Sequence, residues 1–202
     1  IGHFTESDRS MYYFAKVHDG SGLYTALFVV HPWTGSPQQL TDSNDFTTDP
    51  AGFSSDGQGG VYFRAHDGTH GTELWYSDGT SVGTNMLKNI NLNSTGSLTH
   101  KSSVSNSVGS WEAATLNGTT YFSAFDGTSR ELWMTDGTTS GTCKVTQMHD
   151  RTAYPYSGLD KSQSWMTDPA RGANGPLHMF ANEATNSLLF IHRNQNNNCL
   201  QT

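Results

Sequence analysis

The chain has 202 residues, of which 34% are hydrophobic and only 14% charged, with a formal net charge of −7. It is too poor in Ala, Leu, Glu and Lys for a helical bundle. Its thinly spread Lys and Arg offer no cluster to nucleic-acid phosphates, and no apolar run approaches a membrane span. Turn formers mixed with Tyr, Phe, Trp, Val and Thr predict many short strands instead.

The predicted strands fall into four similar units. The first unit has Phe4-Thr5, then Tyr13-Phe14-Ala15, an Asp19-Gly20 turn, and Leu27 to Val30. The second has Gly52-Phe53, Val61 to Ala65, an Asp67-Gly68 turn, Glu73 to Ser77, a second turn at Asp78-Gly79, and Asn85 to Ile90. The third repeats it closely: Trp111-Glu112-Ala113, Tyr121 to Phe125, Asp126-Gly127, Glu131 to Thr135, Asp136-Gly137, and Cys143 to Gln147. The fourth is looser, with Ser164-Trp165-Met166, His178 to Ala181 as a second strand and Leu188 to Ile191 as a third. Asp-Gly between apolar runs is a hairpin signal, because Gly takes the positive φ that tight turns need.

The anchors Leu27, Leu74, Leu132 and Leu189 recur about every fifty residues, the period of a propeller blade. One such sheet, with Tyr62 and Trp75 assigned to one side and Phe63 and Leu74 to the other, is apolar on both faces and must be covered on both. The expected fold is therefore all-β, a single four-bladed β-propeller with blades near 1–45, 46–98, 99–152 and 153–202. A two-sheet sandwich or an irregular solenoid is the alternative. No strand overlap between the ends is evident, so the ring closes by packing alone or the units form an open array that associates with other chains.

The segments Glu73 to Thr84 and Glu131 to Thr142 resemble the ELWxxDGTxxGT repeat of large secreted and surface proteins. That resemblance implies a propeller-like array and an extracellular location, and no enzymatic activity. The first and fourth units depart from it, with Ala26 and Leu188 at the Glu position and Phe28 and Phe190 at the Trp position. Asp49-Pro50-Ala51-Gly52-Phe53 followed by Val61-Tyr62-Phe63 is more distantly similar to a hemopexin-type blade. Those propellers commonly bridge first and last blades by a disulfide, whereas the cysteines here lie in units three and four.

The opening Ile1-Gly2-His3-Phe4 lacks an initiator Met and reads as a processed chain. With the sequons at Asn93 and Asn117, candidate glycosylation sites, it points to secretion. Cys143 and Cys199 are the disulfide candidates. Bridged Cα atoms must lie within about 7 Å, so these two pair within the chain only if their strands lie near the axis; otherwise they bond other chains or stay free.

Glu73, Glu131, Asp78 and Asp136 recur once per unit, so turn and strand-end roles are favoured over acid/base pairs, whose members converge from different elements. A carboxylate hydrolase would instead draw on Glu6, Glu112 and Asp168. The sequence assigns no cofactor. Calcium takes roughly six to eight oxygens and no dense D-x-D-x-D loop is present. The nine histidines, among them His18, His31, His66 and His192, form no H-x-H or H-E-x-x-H; a metal site would need several of them turned into a central channel. Trp75 and Trp133 are expected in the core. Trp33, Trp111 and Trp165 are candidate stacking platforms for a carbohydrate or small-molecule ligand. The reading is a secreted, non-enzymatic binding or adhesion module, with self-association as the rival.

Overall fold

The computed structural model describes residues 4–47, 50–92, 113–127, 130–145, 176–192 and 200–201, and every regular element among them is a strand. The first sheet runs β1 (Phe4–Ser7), β2 (Ser10–His18), β3 (Leu23–Val30) and β4 (Pro37–Gln39). The second runs β5 (Ala51–Ser55), β6 (Val61–His66), β7 (Thr72–Ser77) and β8 (Asn85–Met86). The third runs β9 (Ala113–Leu116), β10 (Thr119–Phe125), β11 (Arg130–Thr135) and β12 (Cys143–Lys144). The fourth has three described strands, β13 (Pro176–Asn182), β14 (Ser187–His192) and β15 (Leu200–Gln201). Each is an antiparallel meander in which strands neighbouring in sequence neighbour in space. The fourth strands are shorter than expected: β8 stops at Met86 rather than Ile90.

The sheets stack face to face. Tyr12, Phe14, Leu27 and Val29 of the first sheet pack on Val61, Phe63, Ala65 and Trp75 of the second. Phe14 joins the two, stacking on Phe53 at 4.4 Å and meeting Phe63 edge-on at 5.5 Å. The opposite side of the second sheet, with Tyr62, Leu74 and Leu87, packs on Phe122, Ala124 and Trp133 of the third. Ala114 and Leu132 of the third then meet Met179 of the fourth. Trp75 and Trp133 are core residues, as expected.

This corrects the face assignment. Phe63 pairs directly with Trp75, and Tyr62 with Tyr76. Residues directly opposite in an antiparallel pair share a face, and neighbours along one strand do not. Phe63 and Trp75 therefore look toward the first sheet, and Tyr62 and Leu74 toward the third.

The fourth sheet differs too. β1, β5, β9 and β13 lie in succession along the stack, each in contact with the next. The β13–β14 turn sits beside the β9–β10 turn, where Asn117 Nδ2 donates to Asn186 Oδ1 at 2.6 Å. β13 thus lies beside β9, while its register keeps the places read from sequence: Phe180↔Leu189 and Phe190↔Gln201 match Ser123↔Leu132 and Trp133↔Lys144 of the third sheet, and the expected first strand, Ser164 to Met166, lies outside the described residues.

The ELWxxDGTxxGT pattern has a physical reason at nearly every letter. Glu73 is fully buried and its Oε1 accepts the amide of Asn91, itself buried, at 3.2 Å. Glu131 is buried as well; neither caps an exposed strand end, which corrects that expectation. Leu and Trp fill opposite faces. Asp78 Oδ1 accepts both the amide (2.8 Å) and the hydroxyl (2.7 Å) of Thr80. The Thr80 hydroxyl oxygen in turn accepts the amide of Gly83, and Thr84 Oγ1 donates to Thr80 O. Ser77 closes the loop, bonded to Thr84 Oγ1 at 2.7 Å and accepting the amide of Gly79. Every one of these bonds recurs in the third sheet, among Thr135, Asp136, Gly137, Thr138, Gly141 and Thr142.

A candidate ligand site at one end of the stack

Turns from first to second strands and from third to fourth strands gather at the same end of the stack. At its centre the hydroxyls of Ser7 and Ser55 bond at 2.8 Å, joining β1 to β5. Asp56, buried in the β5–β6 turn, accepts the amides of Gln58 (2.7 Å) and Gly60 (2.9 Å) on Oδ1. Its Oδ2 accepts the Tyr76 hydroxyl at 2.9 Å. Tyr12 reaches across from the first sheet and donates to Gly59 O at 2.6 Å. Thr115 of the third sheet donates to Ser55 O at 3.1 Å. Three sheets are therefore laced together by polar groups at one end.

The electrostatics follow from burial. Burial raises Tyr12 above the ordinary tyrosine range, and the charges of Asp56 and Asp78 add to it. Tyr62 is pushed up to about 12 by burial. Tyr76 is raised by burial and then by its hydrogen bond to Asp56. The Tyr12 and Tyr76 hydroxyls are donors at neutral pH, holding the β5–β6 turn rather than exchanging protons.

Trp33 stands beside this network on the β3–β4 turn. Its side chain is 75% exposed, yet its ring lies parallel on His31, with centroids 4.7 Å apart and planes 6° from each other. His31 is in turn held by Ser10, whose Oγ lies 3.0 Å from Nδ1. The Asp78-Gly79-Thr80 loop of the second sheet closes against this pair: a Cβ on Gly79 would stand 3.1 Å from His31 Cε1 and 2.8 Å from the Tyr12 hydroxyl. Gly79 also has φ +90°, so glycine is required there on both counts. The result is an exposed indole face stacked on an imidazole that Ser10 holds in place.

The other candidates fare differently. Trp111, Trp165, Asn93, Cys199, Glu112 and Asp168 lie outside the described residues. Glu6 is exposed on β1. Asn117 is exposed on the β9–β10 turn in left-handed conformation, its amide engaged by Asn186. Cys143 is half-buried on β12 as a free thiol, with no disulfide among the described residues. His18 and His66 serve turns at the opposite end, each Nδ1 accepting a glycine amide, from Gly20 at 3.1 Å and Gly68 at 2.8 Å. There too Asp67 is lowered to about 2: burial opposes the shift, but amides of His70 and Thr69 and the His70 ring outweigh it. No group of three or more His, Cys, Asp or Glu suited to a metal ion occurs among the described residues. Sequence reasoning missed Ser7, Asp56, Tyr12 and Tyr76. Asp56-Gly57, a third Asp-Gly in the second unit, was the available signal.

No family model matches the chain, and no curated protein matches it in sequence. Among solved structures, it is similar to the acylaminoacyl peptidase of Pyrococcus horikoshii in an orthorhombic crystal form, at 13% identity and a TM-score of 0.49. That alignment covers 95% of this chain and 23% of the peptidase. An uncomplexed form of the same peptidase aligns at 12% identity and a TM-score of 0.49, over 94% and 23% of the two chains. The β-propeller domain of the Trilobed protease from Pyrococcus furiosus, described as having an open velcro topology, aligns at 11% identity and a TM-score of 0.48. Here 94% of this chain and 47% of that one are covered. The chain thus spans less than half the length of each of these structures.

Proposed function

We propose that this chain is a non-enzymatic binding module of propeller type, each sheet one blade, that holds a carbohydrate or similar small polar molecule against Trp33. The observation that carries the reading is the Trp33–His31 stack, an indole face three-quarters exposed and yet fixed in orientation. Aromatic faces bind the apolar face of a sugar ring, while neighbouring hydroxyls and carboxylates bond its polar rim. Asp78 and Thr80, exposed on the loop whose Gly79 packs against His31, are the groups proposed for that rim, Asp78 through the oxygen that does not hold Thr80. The carboxylates that recur per sheet are already engaged: Glu73 is buried on Asn91, and Asp78 and Asp136 hold their own loops. This favours binding over hydrolysis. The repeat and the Asn93 and Asn117 sequons favour an extracellular setting, in which a glycan occupies one or both asparagines.

The test is a glycan array and small-molecule screen, followed by titration of the best binder while tryptophan fluorescence is recorded. A saturable change that Trp33→Ala removes, with the fold intact by circular dichroism, is the expected result. Absence of any binder, or binding indifferent to Trp33→Ala, overturns the proposal.

A further inference from the structure

The stacking rule inside the chain has two loose ends. In each internal interface the forward face of one sheet receives the backward face of the next. The backward face presents a directly paired aromatic couple, Phe63 with Trp75 in the second sheet and Phe122 with Trp133 in the third. All four rings are buried against the preceding sheet. The first sheet carries the same couple at the same place: Tyr13 pairs with Phe28, their rings stacked at 5.4 Å and 12°. Here both are only half-buried, and Met11 on the same face is 49% exposed. At the other end the fourth sheet turns Met179, Ala181 and Leu188 toward the third. Its opposite face bears the directly paired Phe180 and Leu189, which are 63% and 38% exposed.

We propose that these two faces form a head-to-tail interface between copies of this chain, the first sheet of one seating on the fourth sheet of another. The occupant follows from continuity: forward faces of the first and second sheets each take an aromatic couple, no described residue covers the forward face of the fourth, and the uncovered couple is on the first sheet. Two different surfaces meet in such a contact, so it is heterologous. It propagates into a filament or closes into a ring of two or more copies, according to the rotation between neighbours. The inference stands apart from the ligand reading, since Trp33 lies on a turn and on neither face.

Sedimentation velocity of the full chain over a concentration series tests it. Wild type is expected to shift to larger species as concentration rises. Met11→Glu blocks the backward face and Phe180→Glu the forward face; both positions are substantially exposed, so each variant keeps its strand spectrum. Each alone is expected to sediment as a monomer, and an equimolar mixture to give a one-to-one dimer through the two unblocked faces. A wild type that stays monomeric at every concentration overturns the proposal. So does a mixture that fails to dimerise, which would mark like-with-like pairing or closure within one chain.

Discussion

Gly83 lies directly against the carboxylate of Asp78: a Cβ at Gly83 would stand 2.1 Å from the carboxyl carbon. Gly141 and Asp136 repeat the relationship, at 2.2 Å. The second glycine of the motif is thus there for space, whereas Gly79 and Gly137, at φ +90° and +89°, serve the turn itself. Gly83→Ala is expected to cost about 1–3 kcal/mol, the usual range for forcing extra volume into a packed site. Urea denaturation measures it. Asp78→Ala on the same background removes the collision, so the double variant should be less destabilised than the sum of the singles.

Alkaline pH should unfold the protein through its buried tyrosines. Tyr12, Tyr62 and Tyr76 all hold their protons more tightly in the fold than a free tyrosine does, which titrates near 10. Their contribution is fully present below about pH 10. Above it the unfolded chain loses protons that the folded chain keeps, and stability falls until the folded groups titrate as well. The slope is at most about 1.4 kcal/mol per pH unit for each fully buried tyrosine. Urea midpoints between pH 9 and about 12 check it, and Tyr62→Phe should flatten the decline. An unchanged midpoint across that range would refute the assignment.

Two tryptophans should respond in opposite ways. Trp75→Ala empties a core site between the first two sheets and is expected to cost about 3–5 kcal/mol. Trp33→Ala removes an exposed ring and should stay within about 0.5 kcal/mol of wild type. Thermal denaturation separates them, and only the second variant is informative about ligand binding.

Removing the Tyr76 hydroxyl leaves Asp56 Oδ2 without that donor. Tyr76→Phe is therefore expected to cost about 1.5–3 kcal/mol, the range for a hydrogen bond to a charged group. Because Asp56 also orders the β5–β6 turn, the amides of Gln58 and Gly60 should exchange hydrogen faster in the variant than in wild type.

Much of the fold was legible because its punctuation is local. Asp67-Gly68 and the two DGT loops mark hairpins through bonds made within a few residues, and the meanders lie where those marks predict. The faces were misread because parity is set by cross-strand register: pairing Phe63 with Trp75 rather than Arg64 depends on how many residues the turn absorbs. The buried glutamates were misread because Glu73 depends on the amide of Asn91, eighteen residues on, and no local pattern announces it. Of the site, Trp33 was legible as an aromatic in a polar turn. Its support by His31 and Ser10, and the Asp56–Tyr76 bond beside it, join separate turns and strands and leave no trace in sequence spacing.

The DGT loop satisfies its polar side chains from within eight consecutive residues. A duplicated copy would therefore arrive with its turn already able to form, owing nothing to the neighbour it lands beside. Selection after duplication would act mainly on the apolar faces, where Phe28 still stands at the place that Trp75 and Trp133 occupy. Units could then be gained or lost in tandem without redesigning a single turn, and their number would be limited only by whether the last face finds a cover.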